Sequence, residues 1–256
     1  MPRFTSPTDA SAYATEFGGY LSRDGLECLH IFDGSLERSL LNLAPGKPVP
    51  DGVVGGGTPA IGTGSAWLEV SGTNWIEVSA TDSLNQTIYS VVKSAASMAD
   101  DNNRPTYWAN GLNFPANGES ANSFGNRLVV TAATAERFGA GFGNDTTDDE
   151  TTTTSVAATH NTWHLLVCKI IATGSGQGVS IQNITAGTSV ATATTAKPRF
   201  PVIGRYRIGS QRSGAQIAGS QQKWWMKYSK VTNADEDARN IAQIREYQLK
   251  RWGIVV

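Results

Sequence analysis

The sequence contains little cysteine, and this shortage argues against one class of protein. Its 256 residues include two cysteines, Cys28 and Cys168, whereas small secreted scaffolds that depend on disulfides usually carry more. The two thiols would pair only if neighbouring strands brought them together. Since each lies in an apolar stretch, where a free buried thiol is the more common state, we expect both to be free.

Charge is also scarce. Charged residues make up 17% of the chain and the net charge is -1, against about a quarter charged residues in an average globular protein. Without a long basic run, the chain has no electrostatic means of holding nucleic acid or an anionic membrane. No apolar run approaches the roughly 20 residues that cross a bilayer, so we expect no membrane insertion. The first eleven residues lack the apolar core of a secretory signal. We therefore expect use without signal-dependent export, or a signal missing from this piece.

Glycine, threonine, serine and asparagine are abundant instead, which favours short strands and many turns. The most informative stretch is 162–172, where apolar side chains alternate between two faces and neither face is polar. Such a strand must be central and covered on both sides. One face carries Trp163, Leu165, Val167 and Ile171, and the other carries Leu166, Cys168 and Ile170.

Further strands are predicted on both sides of this one, within a single all-β domain. Trp224 and Trp225 are adjacent on the last strand and must therefore face opposite ways. A long surface loop is predicted over 44–64, and an acidic, threonine-rich loop over 145–154. Gly139, Gly141 and Gly143 share one face of a strand, which would allow close approach of a backbone or a ligand. The strand segments are 27–33, 67–70 and 75–78 around a turn at 72–74, 87–93, 126–131, 135–143, a hairpin of 178–182 with 188–193, 205–209 and 222–231.

Two helices are expected, one near each end. Residues 6–17 are predicted to form a short N-terminal arm helix that docks on its own domain or on another subunit. At the other end, Asn233 and Glu236 are spaced as a capping box, Gly253 is a stop, and 233–252 is predicted to be an amphipathic helix. Its inward face is predicted to carry Ala234, Ala238, Ile241, Ile244, Leu249 and Trp252, and its outward face Asp235, Glu236, Arg239, Gln243, Glu246 and Lys250.

The order of these segments resembles the concanavalin A-like lectin/glucanase superfamily, in its laminin-G-like or pentraxin-like branch. The resemblance covers nearly everything after Asp24, and the tail 244–254 is similar to the closing helix of such domains in bacteria and their phages. It implies a two-sheet antiparallel jelly-roll sandwich over 23–256, preceded by an arm over 1–22, with a concave face that often holds sugar. The matching stretches are 68–70, 75–78, 87–92, 161–167, 179–183, 206–210, Gly219 and 224–231.

The sequence carries no catalytic arrangement that we recognise. A retaining glycosidase needs two carboxylates about 5 Å apart, whereas Glu69 and Glu77 fall on different predicted strands and are interpreted as solvent-facing. Nucleophile elbows, phosphate loops and zinc spacings are missing. His30, His160 and His164 are too scattered for a transition-metal site, and His164 on the central strand is predicted to be a hydrogen-bonded core residue. The protein is therefore predicted not to be an enzyme.

The turn-rich segment 100–122 is the predicted glycan-binding surface. Aromatic side chains there would supply an apolar platform, and amide and guanidinium groups would supply directed hydrogen bonds. The alternative is that Trp108 packs in the core. The candidate contacts are Arg104, Tyr107, Trp108, Asn110 and Asn113.

No cofactor is expected, with calcium as the one ion left open. The resemblance implies that members of this branch often hold Ca²⁺ at the rim of the sandwich, and hard oxygen ligands suit that ion. Asp145, Asp148 and Asp149, next to Glu150, are the candidate ligands, and Asp100 with Asp101 forms a second acidic pair. The alternative is that these acidic loops are only solvated.

These observations lead to three functional hypotheses. The first is a non-catalytic module of a phage or phage-like virion, in a tail fibre, spike or surface decoration. It would contact host-surface glycans, neighbouring virion subunits or copies of itself in a homo-oligomer. The second is a carbohydrate-binding lectin domain, extracellular or on a bacterial surface. The third is a divergent glycan-degrading enzyme.

Overall fold

The computed structural model describes residues 21–95, 104–110, 125–130, 137–143, 151–173, 176–196, 199, 201–202, 204–211 and 217–256, with backbone alone for 137–143 and for Thr151. The helices are α1 (Leu36–Leu40) and α2 (Ala234–Trp252), and a 3-10 turn spans Thr63–Ser65. The strands are β1 (Leu26–Ile31), β2 (Val53–Gly56), β3 (Ala60–Ile61), β4 (Leu68–Val70), β5 (Trp75–Val78), β6 (Gln86–Ser94), β7 (Thr106–Ala109), β8 (Arg127–Val130), β9 (Arg137–Gly143), β10 (Thr151–Ala157), β11 (His164–Thr173), β12 (Gly176–Asn183), β13 (Ala191–Thr195), β14 (Tyr206–Ile208) and β15 (Ser220–Tyr228).

These strands form two sheets. Sheet A has the order β13-β12-β11-β6-β15-β4-β3, and β1 also pairs with β15. Sheet B has the order β10-β9-β8-β7-β14-β5-β2. The strand pairs of both sheets are antiparallel. The predicted all-β, two-sheet antiparallel sandwich with a C-terminal helix is confirmed, while the arm helix predicted over 6–17 lies outside the described residues.

Strand β11 is covered on both faces, as its sequence predicts. Leu166 and Cys168 belong to an apolar cluster between the two sheets, which we call the inner cluster. Leu165 and Val167 belong to a second cluster, the outer cluster, on the opposite face of sheet A. Ile171 differs from the prediction because it lies toward the strand end, outside either cluster, and is 42% exposed.

Helix α2 covers part of the outer face of sheet A. Trp224 packs edge-on against Tyr247 of the helix, with ring centroids 5.6 Å apart, and Ile244 is fully buried beside them. Trp225 points the other way, into the inner cluster, so the predicted opposition of the two tryptophans is confirmed. Burying side chains of this size contributes about 1.5–3 kcal/mol each, which fixes the helix to the sheet.

The inward face of α2 is more polar than predicted. The capping box of Asn233 and Glu236 is present, and Gly253 ends the helix with φ 64°. The side chains of Ala234 and Ala238 are exposed, and Leu249 is 56% exposed, which corrects the predicted apolar stripe. Two of the buried polar side chains of the helix have partners at the sheet, since Asn240 Oδ1 accepts from Tyr228 Oη at 3.2 Å and Tyr247 Oη donates to Asp33. The buried residues of the helix are Glu236, Asn240, Ile244, Tyr247 and Gln248.

Strands β4 and β5 are not neighbours, although the sequence suggested two strands around a tight turn. The turn exists, since Ser71 N donates to Asn74 O at 2.7 Å, but β4 lies in sheet A and β5 in sheet B. Leu68 and Ile76 therefore enter the inner cluster from opposite sides. Turn chemistry reverses the chain locally and does not decide which sheet each arm joins.

Two predicted loops contain strands. The stretch 44–64 includes β2 at one edge of sheet B and β3 at one edge of sheet A, and 145–154 overlaps β10, which pairs with β9. These corrections have one cause. Glycine- and threonine-rich segments have weak hydrophobic periodicity, yet an edge strand needs a partner for its backbone more than it needs apolar side chains.

Candidate functional site

Three of the five predicted glycan contacts lie inside the sandwich. Tyr107, Trp108 and Asn110 have no exposed surface, because β7 is an interior strand of sheet B. Trp108 packs edge-on against Tyr206 at a centroid distance of 5.7 Å. This placement corrects the expectation that these three form a binding platform, since a saccharide cannot reach them. Arg104 is half-buried, and Asn113 lies outside the described residues.

The predicted calcium ligands cannot be placed. Asp145, Asp148 and Asp149 lie outside the described residues, as do Asp100 and Asp101. Within the described part of the chain, no group of three or more His, Cys, Asp and Glu side chains is arranged to hold a metal ion. Calcium at 145–149 therefore stays a prediction.

A buried Cys28–His30 pair has the contact distance of a nucleophilic dyad without its chemistry. His30 Nε2 lies 3.1 Å from Cys28 Sγ, and both residues are completely buried. Burial raises the pKa of the Cys28 thiol and lowers the pKa of His30 to about 4. A neutral thiol beside a neutral imidazole is not an activated nucleophile. Both cysteines are free, as predicted.

His164 is a core residue, as its position on the central strand predicts. It is 2% exposed, and its Nε2 lies 2.9 Å from Thr159 O. Its Nδ1 lies 3.1 Å from the Asn183 amide nitrogen. Burial lowers its pKa to about 4, so the ring is neutral at physiological pH and serves to join two strands.

An open polar groove lies on the outer face of sheet A, in the part that α2 leaves uncovered. Its floor is a row of paired residues across four strands, in which Ala60 lies opposite Glu69, Glu69 opposite Gln221, and Gln221 opposite Lys93. The cavity volume is about 440 Å³. We call it the outer groove, and its polar lining includes Glu69, Asn74, Lys93, Asn161, Ser220 and Gln221.

The outer groove exists because the outer positions of these strands change character along their length. On β6, Tyr89 and Val91 face outward and are fully buried. The next outward position is Lys93, which is half-buried and lines the groove. On β15, Met226 and Trp224 lie in the outer cluster, and Gln221 lines the groove beyond them. The inward positions at this end are buried but not all apolar, since Gln222 of β15 lies beside Val92 of β6 and Leu68 of β4.

The floor of the outer groove offers unused hydrogen-bonding capacity. Gln221 Oε1 is buried and has no hydrogen-bond partner among the described residues, a condition that costs about 1–3 kcal/mol. Glu69 accepts a hydrogen bond on Oε1 from Trp67 Nε1 at 3.0 Å, which fixes its carboxylate. Lys93 forms no ion pair with a carboxylate of the described residues. The floor thus presents an acid, an amide and an ammonium in line.

Two tryptophans adjoin this floor. Trp67 and Trp163 are half-buried, with ring centroids 6.3 Å apart and planes inclined by 54°. The Lys93 ammonium lies 5.8 Å from the centroid of Trp163. Partly exposed aromatic rings beside directed polar groups are the combination that binds the apolar and hydroxyl faces of a sugar.

The ammonium of a buried lysine, Lys223, lies close to both tryptophan rings. Lys223 is 1% exposed. Its ammonium nitrogen lies 5.8 Å from the ring centroid of Trp67, 5.1 Å from that of Trp163 and 4.7 Å from that of Trp252. It donates to the carbonyl oxygen of Ala66. Burial lowers its pKa to about 8. It stands in the bulge of β15 between Gln222 and Trp224, where the strand changes partner from β4 to β1.

Sequence reasoning missed this site. Glu69 was interpreted as a solvent-facing residue, which it is, and Lys93, Gln221 and Trp67 attracted no functional interpretation. A usable indication was present: the outward positions of β6 and β15 change from apolar to polar toward one end, from Val91 to Lys93 and from Trp224 to Gln221. What the sequence did not show is that these ends meet β4 in one row.

The fold has known counterparts. The receptor-binding domain of botulinum neurotoxin type G superposes with a TM-score of 0.59 at 10% identity, over 86% of this chain and 52% of that one. The binding domain of botulinum neurotoxin serotype D superposes with a TM-score of 0.61 at 12% identity, over 91% of this chain and 56% of that one. The binding domain of botulinum neurotoxin DC in complex with SialylT superposes with a TM-score of 0.57 at 8% identity, over 87% of this chain and 51% of that one. This chain therefore spans about half the length of these structures.

Identity at this level establishes the sandwich fold alone. No model of a known protein family matches the sequence, and no curated protein matches it either. In the described part of the chain, none of the helices combines the length and apolar character that crossing a membrane requires.

Proposed function

We propose that the protein is a non-catalytic glycan-binding module and that the outer groove holds the sugar. The observation that carries this proposal is the row of Glu69, Gln221 and Lys93 side by side on the floor of the cavity. The carboxylate accepts hydrogen bonds from sugar hydroxyls, the ammonium donates them, and the Gln221 amide adds a neutral polar group between the two.

The dimensions of the outer groove fit this role. A volume of about 440 Å³ lies within the roughly 300–1,000 Å³ of small-ligand sites, so a short saccharide fits. Trp67 and Trp163 stand beside the floor with partly exposed rings. Their rigid surfaces can stack on sugar C–H groups at little cost in conformational entropy.

The same groove supports binding without catalysis. Glycoside hydrolysis by the common mechanisms needs a pair of carboxylates about 5–9.5 Å apart. Among the described residues that line the groove, Glu69 is the one acidic side chain. Glu77 is in the other sheet. The Glu69 carboxylate, held by Trp67, can orient a hydroxyl, and it has no partner acid among the described residues of the lining.

The similar structures support this proposal as well. One is a receptor-binding domain and the other two are binding domains of botulinum neurotoxins, and the domain of neurotoxin DC was solved in complex with SialylT. For this chain the same role is an inference, and the ligand chemistry rests on its own groove.

A glycan array followed by calorimetry on the best ligand tests the proposal. Gln221→Met removes the amide and keeps the side-chain length, and Trp163→Ala removes one ring. We expect each to weaken binding at least five-fold. Trp75→Ala is the matched control, because Trp75 is also half-buried but stacks on Arg207 at 4.0 Å in sheet B. Absence of glycan binding, or equal losses in all three variants, would overturn the proposal.

A place in a virion, as a tail fibre, spike or decoration subunit, is the second candidate. One observation favours contact with another chain: β2 is an edge strand of sheet B, with Val53 and Val54 exposed by 48% and 42%. Exposed apolar edges are sites of pairing between chains. We propose a homo-oligomer or a contact with neighbouring virion subunits through this edge. The alternative location is the bacterial surface.

Native mass measurement of the full chain tests this second candidate. We expect an oligomer that Val53→Lys together with Val54→Lys reduces to a monomer, because like charges at an edge oppose pairing. Deleting residues 6–17 separates the edge from the arm as the source of assembly. A wild-type monomer at all accessible concentrations would rule out self-assembly through β2.

A further inference from the structure

We infer that the saccharide bound in the outer groove is acidic, with a carboxylate or sulfate on the Lys93 side and hydroxyls on the Glu69 side. This inference rests on the proposed glycan-binding function and adds the class of ligand and its orientation. Two observations carry it. One is that Lys93, unlike most described lysines, contacts no carboxylate of the described residues, and the other is the order of charges along the groove floor.

Lys93 is exceptional among the lysines that the structure describes. Five of those seven contact a carboxylate: Lys47, Lys169, Lys227, Lys230 and Lys250. Of the other two, Lys223 is buried and donates to the carbonyl oxygen of Ala66. Lys93 is half-buried, lines the groove, and has the Trp163 ring as its contact. A cation on a groove floor that has no carboxylate partner among the described residues is a ready site for an anionic group.

The charge order of the floor gives the ligand a direction. Glu69 and Lys93 flank Gln221 on either side, so they stand two strand spacings apart, about 10 Å between backbones. An acidic group would be repelled at the Glu69 end and attracted at the Lys93 end. The exposed carboxylate of Glu69 then accepts hydrogen bonds from hydroxyls of the rest of the sugar.

The site also limits how much charge the ligand carries. One ammonium supplies point-charge attraction without the two-pronged fork of an arginine. Such a site suits one singly charged group better than a phosphate or a run of acids, which the nearby Glu69 would oppose. Carboxylate and sulfate monoesters share this chemistry, and the two are separated by the experiment below.

The test uses an array that pairs each uronate-bearing oligosaccharide with its methyl ester and each sulfated one with its desulfated form. At low salt we expect the full-length protein to prefer acidic members about five-fold, as one partly exposed ion pair allows. Lys93→Gln should reduce that preference to none, and Lys93→Arg should restore it. Lys250→Gln, on the exposed face of α2, is the control and should change nothing.

The outcomes separate this inference from the function on which it rests. Preference for either acidic series, lost in Lys93→Gln and weakened by added salt, supports the inference and identifies carboxylate or sulfate. Equal binding of acidic and neutral partners, or a preference that survives Lys93→Gln, overturns the acidic ligand and leaves glycan binding intact. Failure to bind any member of either series overturns the proposed function itself.

Discussion

Trp67 Nε1 donates a hydrogen bond to Glu69 Oε1 at 3.0 Å, two residues further along the same edge of the groove. The ring thus has two roles at once: its face meets Trp163, and its nitrogen aims the carboxylate. A binding site held in advance by its own side chains loses less entropy when the ligand arrives.

Trp67→Phe separates these two roles. The ring surface remains, whereas the Glu69 carboxylate loses the donor that fixes it. We expect glycan affinity to fall about three- to ten-fold, which corresponds to the roughly 0.5–1.5 kcal/mol of one hydrogen bond. Calorimetry measures the affinity and urea unfolding measures the stability. A stability loss above about 2 kcal/mol would mean that Trp67 acts mainly as a structural support.

Lys223→Met should stabilise the protein at neutral pH. The folded pKa of Lys223, about 8, is below its ordinary value of 10.5 because of burial. The folded state therefore binds the proton less tightly than the unfolded chain, and the cost is fully present below pH 8. Stability lost to this group returns as the pH rises from about 8 to 10.5. A methionine keeps the apolar stem between the rings without the buried charge.

Urea unfolding of wild type and Lys223→Met at pH 7, 9 and 10.5 checks this. We expect a gain of about 1–3 kcal/mol at pH 7 that shrinks as the pH approaches 10.5. If the variant is less stable at pH 7, the three tryptophan rings and Ala66 stabilise the ammonium by more than its burial costs.

Acid should weaken the fold through two buried histidines. The pKa values of His30 and His164 are lowered from 6.5 to about 4 by burial. Since the unfolded chain takes up these protons first, stability is complete above about pH 6.5 and falls steadily toward pH 4. A full shift of this size corresponds to about 3 kcal/mol for each ring.

Urea midpoints between pH 4.5 and 7 measure this slope, and NMR titration assigns it. His164→Gln should flatten the slope by about half, whatever its effect on stability at pH 7. An unchanged slope in that variant would show that His164 protonates without opening the core.

Asp82→Asn should be strongly destabilising, because Asp82 forms a buried ion pair with Arg199. The side chains of Asp82 and Arg199 are both 1% exposed. Asp82 also accepts hydrogen bonds from Val202 N at 3.1 Å and Ser83 N at 2.9 Å. Neutralising it leaves a buried guanidinium without its counter-charge, which costs about 3–5 kcal/mol.

The exposed pair of Lys47 and Asp51 provides the comparison for that measurement. Its two side chains are 54% and 39% exposed, and such pairs contribute about 0–1 kcal/mol. Lys47→Gln should therefore shift the unfolding midpoint very little. A similar shift in both variants would contradict the assignment of the Asp82 cluster as a buried ion-pair network.

The layers of this fold were predictable because burial leaves a direct mark on alternation. Leu165 and Leu166 are adjacent and both apolar, so the strand that holds them must have cover on two faces, and it does. Trp224 and Trp225 are a second such pair. The capping box of Asn233 and Glu236 marked the start of α2 because it depends on residues within one turn.

Features that depend on distant partners were not predictable. Nothing near Ser71 indicates that its turn carries the chain from one sheet to the other. Leu249 falls at the helical spacing of an inward-facing residue, yet it is exposed. The side of α2 that faces the sheet carries Asn240 instead, and this residue has hydrogen-bond partners there. The row of Glu69, Gln221 and Lys93 joins three distant parts of the sequence, so only the register reveals it.

The partner change in β15 also determines when the molecule can finish folding. This strand pairs with β6 along one edge, and with β4 and then β1 along the other. Leu26 of β1 therefore cannot pair until Tyr228 has been synthesised, about 200 residues later. Contacts of such long sequence separation are slow to form. Until β15 has been synthesised, the edges of β1, β4 and β6 that it will occupy have no partner, and unpaired strand edges are the sites at which chains aggregate.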